Sequence, residues 1–334
     1  MKHLSLPDAA LWRRLPFYLA AEEWAARVLP PDDYFFAWRV APTVICGRNQ
    51  DMAAEVDLDY CRTHGIDVVR RRSGGGCVYA DRNNWMFSYI TPSDDISTTF
   101  SRYTLLVSDM LRSLGFDARP TGRNDIVIDD RKVSGNAFYH IPGRSIVHGT
   151  MLFDVDMATL GRAITPSRAK LESKRVHSVQ SRVTCLRVEG IDMDVAAFGR
   201  YAIEYICGTD VYAVGVGELE QIERIEQTYY SQEFLHGRMS SAEQTADSGV
   251  IRRARRIDGV GEIDLHIRLD NAGRISSVNI SGDFFVLSEL DKAVVRHLRG
   301  VPFTPADVGK ALAGVDCSAI AGLTAESLYR LIYP

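Results

Sequence analysis

Arg70-Arg71-Arg72-Ser73-Gly74-Gly75-Gly76-Cys77-Val78-Tyr79 decides how the rest of the chain is read, because three cations end one strand and three glycines open the turn into the next. Residues 66–69, Ile-Asp-Val-Val, are β-prone, and Cys77-Val78-Tyr79 resumes an extended segment. Consecutive glycines reach left-handed backbone angles and bring N–H groups against a ligand with no side chain in the way. The arginines add positive charge and bidentate donors suited to a phosphate or a carboxylate. Taken alone, the segment supports two readings equally: an anion-binding loop, or a glycine hairpin beside a solvated basic run. It is not a Walker A loop, which needs Gly, four residues and then Gly-Lys-Ser/Thr. It also lacks the Rossmann spacing of glycines.

The second informative stretch is 121–154. Thr121-Gly122-Arg123-Asn124-Asp125 reads as a polar turn, Ile126-Val127-Ile128 as a strand and Asp129-Asp130-Arg131 as a tight turn. Lys132 to Tyr139 returns as a strand, and after Ile141-Pro142-Gly143-Arg144 a third strand runs from Ile146 to Phe153. Asp, Pro and Gly set the turns, so the pattern is a meander. Lys132 opens its strand ahead of Ser134-Gly135. Lysine is almost never buried without a partner, so it is either a surface residue or one held by an anion.

Together these segments resemble the lipoate–protein ligase family. The matches are Arg-Arg-x-Ser-Gly-Gly-Gly-x-Val-Tyr at 70–79, Gly-Arg-Asn-Asp at 122–125 and Arg-Lys-Val-Ser-Gly-Asn-Ala at 131–137. His148-Gly149-Thr150-Met151-Leu152 and Ser178-Val179-Gln180-Ser181-Arg182-Val183 extend the likeness, which spans roughly residues 15 to 190. Gly282-Asp283-Phe284 and the final helices resemble the family's accessory domain. This chain departs from the family in having Val147 before His148, where two histidines are usual, and Cys77 where alanine is common.

The resemblance implies an α/β (α+β) protein. A mixed-sheet, biotin/lipoate ligase-like catalytic domain would occupy residues 1–245 and a smaller α+β C-terminal domain residues 250–334. It implies an ATP- and Mg²⁺-dependent ligase that activates lipoate as lipoyl-AMP. The acyl group, or octanoate less well, would pass to a lysine of lipoyl-carrier proteins such as 2-oxoacid dehydrogenase E2 domains or the glycine cleavage H protein. Lys132 would be the catalytic cation between carboxylate and α-phosphate. Arg71 would meet phosphate, Gly74 and Gly75 would permit close approach, and the backbone of Gly76, Cys77, Val78 and Tyr79 would line the nucleotide pocket. Asn124 and Asp125 are candidates for phosphate or Mg²⁺, because a hard cation takes carboxylate plus phosphate oxygens. Asp125 reads equally well as a turn-capping residue. His148 is a candidate for the acyl group, for bracing the loop, or for a satisfied core position. Arg168, Lys170, Lys174 and Arg182 lie where the family has an adenylate-binding loop.

Composition bounds these readings. At 334 residues the chain suffices for two domains, and 46% hydrophobic with 25% charged residues is ordinary for a globular protein. A net charge of −4 gives no reason to expect nucleic acid, and Arg252-Arg253-Ala254-Arg255-Arg256 reads as a solvated face or linker. The six cysteines form no Cys-x-x-Cys pair, no zinc spacing is present, and no stretch reaches transmembrane length. Reduced thiols and the absence of an apolar signal core point to a cytoplasmic protein without membrane association.

Along the chain, a helix at 16–29 carries Phe17, Ala21, Trp24 and Val28 on one face and stops at Pro30-Pro31. Strands are expected at 34–40, 43–47 and 85–91, a polar helix near 52–64 and an amphipathic helix at 103–114. Residues 165–183 read as a cation-rich loop, 195–207 as a helix and 237–250 as a linker. The second domain opens on alternating Ile263, Leu265, Ile267 and Leu269, turns at Asp270-Asn271-Ala272-Gly273 and returns at 275–280. A helix is expected at 287–298 and another from Thr304-Pro305.

Three rivals remain. An ATP-independent octanoyl or lipoyl transferase of the same fold needs a cysteine nucleophile, and Cys77 is the one cysteine within the motifs. A biotin ligase would carry a Gly-Arg-Gly-Arg loop. A lipoate-binding module would have no need of a phosphate clamp.

Overall fold

The computed structural model describes residues 1–7, 12–121, 124–165, 182–236 and 250–334. Eight strands build its principal sheet. In spatial order they are β11 (Val211–Ala213), β1 (Lys2–Ser5), β2 (Tyr34–Trp38), β6 (Trp85–Thr91), β10 (Arg144–Met151), β9 (Arg131–Ile141), β8 (Asp125–Ile128) and β7 (Ala118–Pro120). β1 runs parallel to both neighbours and the other pairs are antiparallel, so the sheet is mixed, as expected. Tyr34, Phe36 and Trp38 of β2 pack under helix α1 (Leu15–Val28). Phe35, between them, joins the opposite core with Phe87, Tyr103 and Phe198. Both faces are therefore covered, which is why β2 reads as a continuous apolar run rather than an alternation.

α1 is buried from Leu15 to Ala26 on every side, including Glu22 and Glu23. Val28, expected on its buried face, is 53% exposed at the last turn, where the chain leaves the core before Pro30. The expected polar helix near 52–64 is two short helices, α2 (Met52–Glu55) and α3 (Leu58–Thr63), each started by an aspartate cap, Asp51 and Asp57. α4 (Ile96–Ser113) extends seven residues ahead of the expected start, because the Asp95 side chain accepts from Thr98 N and caps it there. α5 (Met157–Ala163) lies against α3, and α6 (Val195–Cys207) lies where a helix was expected. α7 (Val216–Glu226) packs on α1.

A three-stranded sheet sets the glycine segment. β3 (Thr43–Cys46) lies between β4 (Asp67–Arg70), to which it is parallel, and β5 (Val78–Ala80), to which it is antiparallel. The strands flanking the glycines do not pair with each other, so the hairpin reading fails. The segment 71–77 instead crosses the end of β3.

The C-terminal part has its own core. β12 (Val250–Ile257), β13 (Gly261–Leu269) and β14 (Ile275–Gly282) form an antiparallel sheet. Ile263, Leu265 and Ile267 pack on a helix at Pro305–Leu312 and one at Ala325–Ile332. Thr304 caps the former through Asp307 N. β12 corrects the reading of Arg252–Arg256: this basic run is an edge strand, with its solvent face charged. The expected helix at 287–298 begins later, as a π turn at Asp291–Val295 leading into Arg296–Leu298, and Leu287 is exposed. The expected linker, apart from Val250, and the loop at 166–181 lie outside the described residues. No helix among the described residues is long and apolar enough to cross a membrane.

Candidate active site

A cavity of about 230 Å³ lies over five adjacent strands of the principal sheet, β2, β6, β10, β9 and β8. Its wall changes character along that order. Trp38 on β2 and Met86 on β6, with Leu19 and Ile45, make an apolar end. Lys132 on β9 and Asn124 and Asp125 at β8 make a charged end, joined by Arg182. Four strand spacings of about 4.8 Å put the two ends roughly 19 Å apart. Gly75, Gly76, Cys77 and Val78 close one side, and Arg256, Asp283 and Phe285 from the C-terminal part close another.

Lys132 reaches this site through a β-bulge. Ile126 pairs with Ser134 and Val127 with Lys132, so Val133 is the extra residue that shifts the phase of β9. The shift puts Lys132 on the same side as Gly135, and Nζ crosses the glycine to meet Asp125 Oδ1 at 2.7 Å. A Cβ on Gly135 would lie 2.3 Å from that Nζ, so a larger residue there would push the lysine end out of this position. The lysine side chain is 20% exposed and Asp125 is buried. Arg182 Nη2 holds the second carboxylate oxygen at 2.6 Å. The polar turn is locked from behind, with Asn136 N and Nδ2 donating to Asn124 O at 2.8 and 3.1 Å.

The three arginines before the glycines are each bonded to the protein, and Arg70 and Arg71 are buried. Arg70 Nη1 donates to the carbonyls of Gly47, Arg48 and Gln50, and its Nε to Leu235 O. Arg72 pairs with Glu23 at 2.8 Å and lies over the Tyr229 ring. Arg71, expected to meet phosphate, lines the cavity and is held by its own loop. Its guanidinium donates to Ile45 O, Gly74 O, Gly76 O and Ser73 Oγ, so the loop is wrapped around it. Burial pulls its pKa down to about 10, still high enough to keep the charge at neutral pH.

Ser73 links that guanidinium to His148. Arg71 can only donate, so Ser73 Oγ accepts from its Nε at 2.9 Å and donates to His148 Nε2 at 2.7 Å. His148 Nδ1 donates to Glu22 Oε2 at 2.8 Å. Ser88 donates to Glu22 Oε1 at 2.5 Å and receives Trp38 Nε1 at 3.0 Å. Both ring nitrogens of His148 are bonded, one of them to the glycine loop, and the residue lines the cavity. Glu22 was missed in sequence. Its signal is two adjacent glutamates inside an otherwise apolar helix, Leu19-Ala20-Ala21-Glu22-Glu23-Trp24.

Not every expected residue reaches the cavity. Gly74 instead backs onto the C-terminal part, where an added Cβ would lie 2.4 Å from Phe284 O. Tyr79 is buried in a separate cluster with Val44 and Cys61. Cys77 is half-buried and donates its S–H to Cys46 Sγ at 3.3 Å. That hydrogen bond, and then burial, push its thiol well above the usual range, which suits packing and not the fast nucleophile of a catalytic cycle. Gly122, Arg123, Arg168, Lys170 and Lys174 lie outside the described residues. Arg256, read as part of a solvated run, is missing from the expected site and lines the cavity, 3.4 Å from Asp283.

Comparison with known proteins matches residues 15–207 to the lipoyl protein ligase A/B catalytic domain and residues 250–332 to the bacterial lipoate protein ligase C-terminus. Lipoate-protein ligase LplJ of Bacillus subtilis is 34% identical over 327 residues, covering 94% of this chain and 96% of the relative. The structure of P. falciparum LipL1 in complex with lipoate superposes with a TM-score of 0.73 over 99% of this chain and 97% of its own, at 18% identity. That of lipoate-protein ligase A bound with ATP gives 0.59 at 25% identity, over 71% of this chain and 99% of its own. The chain belongs to the lipoate–protein ligase family.

Proposed function

We propose that this chain activates lipoate with ATP as lipoyl-AMP and transfers the lipoyl group to a lysine of lipoyl-domain proteins. The observation that carries the reading is the gradient across the sheet, from apolar walls at Trp38 and Met86 to the cations at Lys132 and Arg182. An acid with an apolar tail would lie along it with the carboxylate at Lys132. Carboxylate and triphosphate repel each other, and a fixed ammonium between them lowers the cost of bringing them together. The carboxylate oxygen then attacks the α-phosphorus and pyrophosphate leaves. In the second step the acceptor amine attacks the acyl carbonyl and AMP leaves.

In this reading Lys132 stays protonated and acts by charge. Arg71 shapes the loop whose Gly75–Val78 backbone faces the nucleotide, and Arg182 and Arg256 supply further cations. Among the described residues no group of three or more His, Cys, Asp or Glu side chains could cage a metal. Mg²⁺ needs no such cage, since it binds through one or two carboxylates plus substrate phosphates. Asp125, already holding two cations at the charged end, fits that role, and Mg²⁺ there would neutralise phosphate charge. The 1–245 and 250–334 division is proposed on the separate core around Ile263, Leu265 and Ile267. The acceptors proposed are E2 lipoyl domains and the glycine cleavage H protein, in the cytoplasm.

The ATP-independent transferase is disfavoured by the protonated, thiol-bonded state of Cys77. The test is ATP–pyrophosphate exchange with a panel of acids. Lipoate supports exchange, and Lys132→Ala lowers it by about 10²–10³-fold. Acyl transfer between carriers without ATP, and no exchange with any acid, would overturn the proposal.

A further inference from the structure

Cys46 and Cys77 are placed as a pair by the strands that carry them. In the β3–β5 ladder Val44 faces Tyr79 and Ile45 faces Val78, so the next rung sets Cys46 opposite Cys77. Opposed residues of antiparallel strands have Cα atoms about 4.5–5.5 Å apart. That falls within the window of about 4.4–6.8 Å that a disulfide accepts. Their sulfurs are already 3.3 Å apart. The two thiols differ in access, since Cys77 is half-buried in the wall of the cavity and Cys46 is fully buried behind it.

We infer that Cys46 and Cys77 are a built-in oxidation site, which an oxidant of the hydroperoxide class closes to an intrachain disulfide that misplaces the glycine loop. Cys77 first ionises, its thiolate attacks one peroxide oxygen, the O–O bond breaks, and the released hydroxide takes up the proton that Cys77 had lost and leaves as water. This leaves Cys77 as a sulfenic acid. Cys46 sulfur then attacks the Cys77 sulfur, its proton and the hydroxyl leave as a second water, and the S–S bond forms. Two electrons pass from the thiols to the peroxide. Because the Cys77 thiol is raised, little thiolate is present and the attack is slow, so the reaction answers sustained oxidant.

Closure draws the sulfurs from 3.3 Å to about 2.05 Å and so pulls the end of the loop toward β3. Gly76, Cys77 and Val78 line the cavity, and a shift of about 1 Å at a reacting site can cost 10²-fold. Disulfides in reducing compartments are mostly transient and regulatory, as this one would be. Four of the cysteines, 46, 61, 77 and 185, share one core cluster, so the partner has to be identified and not assumed.

The experiment treats the full chain with hydrogen peroxide, caps free thiols with N-ethylmaleimide and maps tryptic peptides without reduction. Val40–Arg48 joined to Ser73–Arg82, with the loss of two hydrogens, is expected, together with a roughly tenfold or greater fall in pyrophosphate exchange. Dithiothreitol restores both. Cys46→Ala keeps its basal exchange and yields no joined peptide. Free Cys77, or Cys77 joined to Cys61 or Cys185, overturns the site, and a joined pair with unchanged exchange overturns its effect on the loop. The peptide result stands apart from the proposed function, which only the exchange readout needs.

Discussion

Lys132 and Asp125 meet across β9 and β8 at 2.7 Å, and Arg182 takes the other oxygen of the same carboxylate at 2.6 Å. The ammonium proposed to bridge lipoate and ATP is thus already held by an internal anion. In the proposed reading Asp125 fixes two cations where the two substrate anions come together, and it is the carboxylate proposed for a phosphate-bound Mg²⁺. Asp125→Asn leaves both cations facing a neutral amide. We expect a stability loss of about 1–3 kcal/mol, below the 3–5 of a fully buried pair because both cations are partly exposed. The Mg²⁺ concentration giving half-maximal exchange rises roughly tenfold, a shift of about 1.4 kcal/mol. A lower melting temperature with an unchanged Mg²⁺ requirement would make Asp125 an anchor only.

Glu22 is the terminus of the hydrogen-bond chain that starts at Arg71. Both of its oxygens accept, from His148 Nδ1 and from Ser88 Oγ. Glu22→Gln replaces one acceptor with an amide that can only donate, so one buried donor loses its partner at about 1–3 kcal/mol. For a domain of this size each kcal/mol lowers Tm by roughly 2–4 °C. Because the chain runs through Ser73 of the glycine loop, KM for ATP should rise as well. Calorimetry with ATP kinetics checks both, and a Tm shift with unchanged KM would confine Glu22 to the core.

Gly74 lies where the loop meets the C-terminal part, with Gly75 N donating to Phe284 O at 3.2 Å. Phe285 continues the contact by stacking on Phe138, ring centres 5.3 Å apart. A methyl group at Gly74 would come within 2.4 Å of Phe284 O, a backbone atom that cannot rotate away. Gly74→Ala should therefore separate the two parts without unfolding either. Limited proteolysis of the full chain should speed up, while the melting temperature of a fragment ending at residue 236 is unaffected by the same change. Equal proteolysis of parent and variant would count against a loop-mediated contact.

How far the sequence was legible differs by element. β6, α6 and the Thr304 helix start lie where local signals put them, because alternation, periodicity and a cap are short-range properties. The glycine segment was ambiguous for a long-range reason: β3, some thirty residues earlier, slots between β4 and β5 and turns a hairpin into a crossover. Charge was the least legible. Arg71 offers the same guanidinium whether it meets phosphate or four groups of its own loop, and only the fold decides. Glu22 could have been suspected as a buried carboxylate, but its partner His148 is 126 residues away. The basic run at 252–256 hid a strand because its apolar residues sit at the ends, Ile251 and Ile257, leaving arginines to dominate the pattern.

Arg256 turns that hidden strand into a prediction. Its side chain is 12% exposed and reaches the cavity from the C-terminal part, held loosely by Asp283 at 3.4 Å. Arg252, on the same strand, is exposed and forks onto Asp264 away from the cavity. If Arg256 meets a substrate phosphate, Arg256→Gln loses a charged hydrogen bond of about 1.5–3 kcal/mol, which raises KM for ATP roughly ten- to hundredfold. Arg252→Gln should leave ATP kinetics unchanged. Arg256→Lys, which keeps the charge but not the fork, should fall between them, whereas a structural tie to Asp283 alone would move melting temperature in Arg256→Gln and spare KM. Steady-state exchange kinetics on the three variants separates a C-terminal part that contributes to the chemistry from one that only covers it.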